Sequence, residues 1–282
     1  MTMPTTTNNG LHAEKGFSES LERVLRDRAP LKARRLLGII EKNVVAGANG
    51  MFKIDEDSEK EHLYTNAFMV LTLESLNRHA EAAELLGKIR RGIKRSGGGF
   101  YYENPDSTDH LPLDGNSAMV IALNAMGCST EASELFGKLK KYYRKGTMEK
   151  EPQSGGDVLT AIAFRTMGCD SEAAEILATA MEGMKKGENG LYYRQSDPDG
   201  DVNVSYDSAL VALALLVVAG RRSESLGLSA RIEKCIPKDE QGMYCAHPDS
   251  AEELSLSANL VLCLLFCAQA GVDILRAGNA SR

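Results

Sequence analysis

Tryptophan is absent from the 282 residues, so no indole is available as a stacking surface, and any such role falls to the nine tyrosines and seven phenylalanines. The chain also lacks any apolar run near the roughly 20 residues a helix needs to cross a bilayer. The longest run, Ala209 to Ala219, is too short, and no charged-then-apolar leader opens the sequence, so a cytoplasmic protein with no membrane span is expected. Basic charge is in deficit: a net charge of −6 argues against nonspecific binding to nucleic acid, because neutralising a phosphate backbone needs an extended basic face, and no nucleic-acid partner is expected. The six cysteines, Cys128, Cys169, Cys235, Cys245, Cys263 and Cys267, form no Cys-x-x-Cys pair and no metal-ligand spacing; reduced, buried thiols and no metal or cofactor are expected. With 43% hydrophobic and 26% charged residues, the composition suits one large core rather than a disordered chain.

What is present is a repeat. The markers Asn49-Gly-Met-Phe52, Gly98-Gly-Phe-Tyr101, Asn189-Gly-Leu-Tyr192 and Gln241-Gly-Met-Tyr244 recur with a degenerate Lys145-Gly-Thr-Met148 in the gap, giving a period of roughly 45 to 50 residues, within the range of helical-pair repeats. A polar, mostly acidic stretch follows each marker. Then comes a helix opening on a small polar residue and an alanine, as in Ser117-Ala118 and Ser208-Ala209.

These helices are apolar on nearly every side, as in the run from Ala209 to Val218, and must be buried all round. Each ends near a glycine or asparagine suited to a left-handed cap: Asn77, Gly127, Gly168, Gly220 and Gly271. A second, amphipathic helix follows, acidic at its start and often basic at its end, matching the helix dipole. The pattern predicts inner helices near 17–27, 62–76, 115–126, 157–167, 206–219 and 255–270, and outer helices at 30–46, 79–95, 129–144, 170–186 and 222–235, with the tail after Gly271 a shortened sixth. Residues 1–14 read as a flexible tail, and 15–282 as one domain. Since no pair can bury its own apolar face, an all-α (α/α)6 toroid is expected, with an open superhelical array of hairpins as the competing architecture.

The unit of inner helix, glycine, outer helix, marker and acidic loop resembles the repeats of prenyltransferase and terpene-cyclase toroids. The stretch from Gly97 to Gly127 is similar to repeats of six-hairpin glycosidases and N-acylglucosamine epimerase-like toroids. The resemblance implies the toroid fold and a ligand pocket at one end of the barrel. The acid motif and tryptophan repeats of squalene-type cyclases are missing, as is the zinc set of protein prenyltransferases, so those mechanisms do not carry over.

In such a ring the long loops gather at one rim. The aspartates at the inner-helix starts, Asp114, Asp157 and Asp207, are candidate catalytic acids and bases, because free N–H groups at a helix start stabilise one carboxylate while a facing partner in a dry cavity keeps its proton. The same residues also suit ordinary N-caps. Asp197, Asp199 and Asp201 lie in one copy of the acidic rim loop, without the order of a calcium loop. Tyr101, Tyr192, Tyr206 and Tyr244 are candidate substrate platforms or rim packing. His62, His110 and His247 occupy comparable loops, and Arg165, in an apolar inner helix, calls for a carboxylate partner or an anionic ligand, with Glu74 and Asn124 in reach. Three functions stay open: a carbohydrate-active hydrolase or epimerase holding a small molecule in a central cavity, an isoprenoid-handling toroid, and a noncatalytic binding scaffold.

Overall fold

A computed structural model describes residues 28–53, 61–108, 111–144, 154–194, 203–249 and 254–275. Helix α1 spans 28–43. It is followed by α2 (Leu63–Ser75), α3 (His79–Gly92), α4 (Leu113–Ala125), α5 (Ser129–Arg144), α6 (Ser154–Thr166), α7 (Asp170–Glu182), the strands β1 (Met184–Lys186) and β2 (Tyr192–Arg194), then α8 (Val204–Val217), α9 (Arg222–Cys235) and α10 (Leu256–Gln269).

The even-numbered helices are the inner set. Every residue of α10 is buried, as is α8 from Val204 to Leu215, which accounts for sequences with no polar face. The odd-numbered helices bury one stripe: Ala33, Leu36, Leu37 and Ile40 in α1, and at the same spacing Ala82, Leu85, Leu86 and Ile89 in α3 and Ala132, Leu135, Phe136 and Leu139 in α5. A stripe at i, i+3, i+4 and i+7 is what a helix wet on one side requires.

Each inner helix packs on the next, from α2 through α4, α6 and α8 to α10, and α10 packs on α2. Hydroxyl pairs stitch two of these seams: Ser117 and Thr160 lie 3.1 Å apart, and Thr65 and Ser257 3.2 Å apart at the junction that closes the ring. The sheath closes as well. Helix α1 covers α10, where the Cys263 thiol donates to the Ala33 carbonyl at 3.6 Å, and Lys32 of α1 pairs with Glu233 of α9 at 2.7 Å.

The architecture is therefore an all-α toroid, and closure rules out the open array. The inner helix expected at 17–27 and the tail at 1–14 lie outside the described residues. Of the shortened outer helix expected after Gly271, only residues 272–275 are described; they are not helical and cross the short-turn rim, where the Leu275 carbonyl accepts from the Asn124 amide at 3.0 Å, and the rest lies outside the described residues.

At the short-turn rim the hairpins reverse through left-handed residues, Asn77 at φ 63° and Gly127 at φ 72° among them. At the opposite rim each of the four described markers is held by one inner-helix side chain, whereas the degenerate marker at Lys145 lies outside the described residues. The Phe52 N–H donates to Asn66 Oδ1 at 2.7 Å and the Asn66 amide returns a bond to the Phe52 carbonyl at 2.8 Å. Asn116 holds Tyr101, Ser208 holds Tyr192 and Asn259 holds Tyr244 in the same two-bond way. A side chain thus supplies what a neighbouring strand would give an extended segment.

Candidate functional site at the barrel mouth

The clamp residues Asn66, Asn116, Ser208 and Asn259 set a common register for the inner helices. Two positions before them stand Tyr64, Asp114, Tyr206 and Ser257, and these converge at the mouth. The rings of Tyr64 and Tyr206 meet edge to face at 6.4 Å although α2 and α8 are not neighbours, so the contact spans the ring. Tyr206 also meets Phe68, one turn deeper, at 6.4 Å, and Phe68 is fully buried, so the axis below the mouth is packed.

Polar groups surround Tyr64. Its hydroxyl hydrogen-bonds Ser257, and its pKa is raised, first by burial and then by the charges of Asp114 and Glu103. Tyr64 therefore stays a neutral phenol able to donate. His62, the residue preceding α2, lies 6.0 Å from the Tyr64 ring, and its Nδ1 is 3.3 Å from Glu103 Oε1. Asp114 Oδ1 accepts the Gly115 N–H at 2.7 Å in the first turn of α4, a position that favours the carboxylate anion.

The three candidate aspartates lie within first turns, because α4, α6 and α8 each begin two or three residues earlier than the sequence pattern suggested. The N-cap residues of α4 and α8 are Pro112 and Asn203, so Asp114 and Asp207 are not caps. Asp157 is set apart from Asp114. Asp157 stands eleven residues before Gly168, as Asn116 stands eleven before Gly127, which is the clamp register facing the sheath. Its charge is felt by Tyr143 of α5, not by the mouth. It is 7% exposed, its Oδ1 has no hydrogen-bond partner, and burial lifts its pKa to about 6. Asp207, 1% exposed, stands one residue before its clamp residue, the register that in α2 sets Thr65 against α10.

The marker tyrosines face the sheath. The Tyr101 hydroxyl donates to Glu131 of α5 at 2.8 Å while Arg95 lies over its ring at 4.3 Å. Lys186 covers Tyr192 at 5.5 Å and Lys238 covers Tyr244 at 4.2 Å. In each case the base sits six residues before the tyrosine and pairs with it across a short antiparallel bridge. Of the four candidate tyrosines, only Tyr206 is at the mouth.

Arg165 has a carboxylate partner, as one of its two readings expected, though not Glu74. Its side chain is 39% exposed at the short-turn rim, pairs with Asp170 and donates to the Val217 carbonyl at 3.3 Å. The partners expected for it are engaged elsewhere, Glu74 with His79 at 2.7 Å and Asn124 with Leu275. His247 is 39% exposed and lies 3.7 Å from Asp249. His110 and the loop bearing Asp197, Asp199 and Asp201 lie outside the described residues. The sequence reading passed over Tyr64, Glu103 and Ser257. Spacing relative to the clamp would have found two of them, since Tyr64 precedes Asn66 as Tyr206 precedes Ser208. Among the described residues no three His, Cys, Asp or Glu side chains gather as a metal site, and no helix is long and apolar enough to cross a membrane.

No known family's sequence profile matches the chain, and no curated protein matches it in sequence. Its backbone is similar to solved α/α toroids. The α-1,6-mannanase of glycoside hydrolase family 76 from Salegentibacter sp. HEL1_6 aligns over 87% of this chain and 100% of that one, at 13% identity and a TM-score of 0.48. An inactive variant of it, with two aspartates replaced and α-1,6-mannotriose bound, gives a TM-score of 0.49 at 13% identity, over 87% of this chain and 100% of that one. A family 76 mannosidase from Bacteroides thetaiotaomicron VPI-5482 aligns over 87% of this chain and 82% of that one, at 10% identity and a TM-score of 0.52, and shares the fold.

Proposed function

We propose that the barrel mouth binds a carbohydrate and acts on it as a glycoside hydrolase or epimerase, with Asp114 and Glu103 as the working carboxylates. The observation that carries this reading is that both carboxylates lie near enough to Tyr64 for their charges to raise its pKa, while its ring meets that of Tyr206 across the mouth. Glycoside chemistry needs two carboxyl groups, one kept as an anion and one that exchanges a proton. Asp114 suits the first role because its Oδ1 holds a backbone N–H at a helix start. Glu103 suits the second because His62 beside it offers a proton relay. Tyr64 and Tyr206 supply the aromatic surface that tryptophan cannot, and the neutral Tyr64 phenol supplies a donor for a sugar hydroxyl.

The packing of Tyr206 on Phe68 moves the ligand from the central cavity to a shallow mouth. That favours a sugar over an isoprenoid, which needs a deep apolar tunnel. The same packing favours, as a second reading, a noncatalytic scaffold.

The deciding experiment screens the protein against oligosaccharides, with manno-oligosaccharides first, for binding, reducing-end release and epimerisation. Asp114→Asn and Glu103→Gln are each expected to lower turnover by about 10²-fold or more with an unchanged melting temperature, and Tyr64→Phe to weaken binding. Absence of sugar binding and turnover across the panel would overturn the proposal in favour of the scaffold. So would turnover indifferent to both carboxylate variants.

A further inference from the structure

The repeat provides its own control for one seam of the sheath. Four outer helices carry a glutamate immediately before the first residue of the buried stripe, and each is ion-paired: Glu81 with Arg78, Glu131 with Arg90 and Arg95, Glu172 with Lys140 and Arg144, and Glu224 with Arg221. At the seam between α3 and α5, Glu131 completes a small assembly. Its carboxylate takes the Tyr101 hydroxyl and the Arg95 guanidinium, and Arg95 in turn lies on the Tyr101 ring.

The seam between α9 and α1 keeps half of that assembly and inverts the rest. Lys238 lies on the Tyr244 ring at 4.2 Å, as Arg95 lies on Tyr101. In α1, however, the glutamate position before Ala33 is Lys32, and the next acidic position of α3, α5 and α7, held there by Glu84, Glu134 and Glu175, is Arg35. Lys32 is drawn to Glu233, with both carboxylate oxygens at 2.7 Å. A cavity of 250 Å³ remains, lined by Lys32, Arg35, Lys238, Tyr244 and Phe266, with Glu233 as its acid. Three bases face one acid where the sister seam holds a carboxylate.

We infer that this lateral cavity binds an oxyanion of a small ligand, a phosphate or carboxylate group that takes the place Glu131 fills between α3 and α5. Arg35 offers planar paired donors, Lys238 and Lys32 offer point charges, and the Tyr244 phenol closes the inner wall. Partial burial lowers the Lys238 pKa, an effect that Glu233 opposes and Arg35 and Lys32 reinforce, so a second anion among the three bases would be favourable. The site is separate from the barrel mouth and does not depend on the reading given for it.

Inorganic phosphate is the probe, titrated calorimetrically into the full chain at pH 7 and fixed ionic strength, with sulfate and acetate in parallel. Saturable one-site binding is expected. Lys32→Glu, which restores the repeat's own carboxylate, should weaken it at least tenfold, Arg35→Gln several-fold, and Arg91→Gln on the exposed face of α3 not at all. If Lys32→Glu fails to fold, Arg35→Gln and Lys238→Gln carry the test. Binding that does not saturate, or that Arg35→Gln and Lys238→Gln leave unchanged, overturns the site. Sugar turnover at the mouth is a separate readout, so failure of either proposal is recognisable without the other.

Discussion

Asn116 and Tyr101 are joined by two hydrogen bonds: the Tyr101 N–H donates to Asn116 Oδ1 at 2.9 Å, and the Asn116 amide donates to the Tyr101 carbonyl at 2.9 Å. Both residues are buried, so water cannot replace either bond. The relationship recurs around the rim and is the device by which an inner helix fixes the loop outside it.

Replacing Asn116 by Ala leaves a buried N–H and a buried carbonyl unpaired and is expected to cost about 2 to 4 kcal/mol. Asn259→Ala should cost a similar amount. Urea unfolding curves check this, and a loss below about 1 kcal/mol at both sites would show the clamp to be idle.

Asp157 occupies the clamp register as a carboxyl whose pKa burial raises to about 6. Because the folded state holds the proton more tightly than the unfolded chain, the group's contribution is fully present below its ordinary value of 3.8 and is lost as pH rises through about 6. The loss is roughly 2 to 3 kcal/mol. Asp157→Asn should therefore be the more stable protein at pH 7.5 and gain little at pH 4.5. Denaturation curves for the two proteins that stay parallel from pH 4.5 to 7.5 would refute the assignment.

Phe68 fills the axis beneath Tyr206, so Phe68→Ala opens a cavity in the middle of the ring. A loss of about 3 to 5 kcal/mol is expected. Leu31→Ala on α1, where Leu31 is 65% exposed, should move stability by less than about 0.5 kcal/mol. Equal effects at the two sites would contradict the packed axis.

Asn77 holds at φ 63° the place that Gly127 holds at φ 72°. Asn77→Gly is expected to be neutral or slightly stabilising, whereas Gly127→Ala should cost about 1 to 2 kcal/mol. Melting temperatures of the two variants should accordingly move apart, and a matching shift in both would speak against the left-handed reversal.

The helices and their layering were legible because burial writes itself locally: an inner helix needs apolar residues on every side and an outer helix only on its stripe. The site was less legible. Asp114, Asp157 and Asp207 read alike as aspartates at helix starts, yet they stand two before, at, and one before the clamp register. A helix turns about 100° per residue, so the three leave it in different directions, toward the mouth, the sheath and the inner-helix seam. The marker tyrosines look like pocket walls in a one-dimensional reading, but pairing with a base six residues earlier fixes them outward. Only the register, which needs the clamp hydrogen bonds to define it, separates Tyr206 from Tyr101.

The place of α1 beside α10 also has a meaning for how the protein is made. Ala33 and Cys263, which touch across that contact, are separated by 230 residues. At a synthesis rate of about 5 to 20 residues per second, the apolar stripe of α1 waits on the order of 10 to 50 s for its partner to leave the ribosome. A linear array of hairpins buries each helix against the one just made, but here the face of α1 that meets α10 stays open until the end of translation. The ring can lock only when α10 has emerged, and a nascent chain stalled before that point presents Leu36, Leu37 and Ile40 as a chaperone's target.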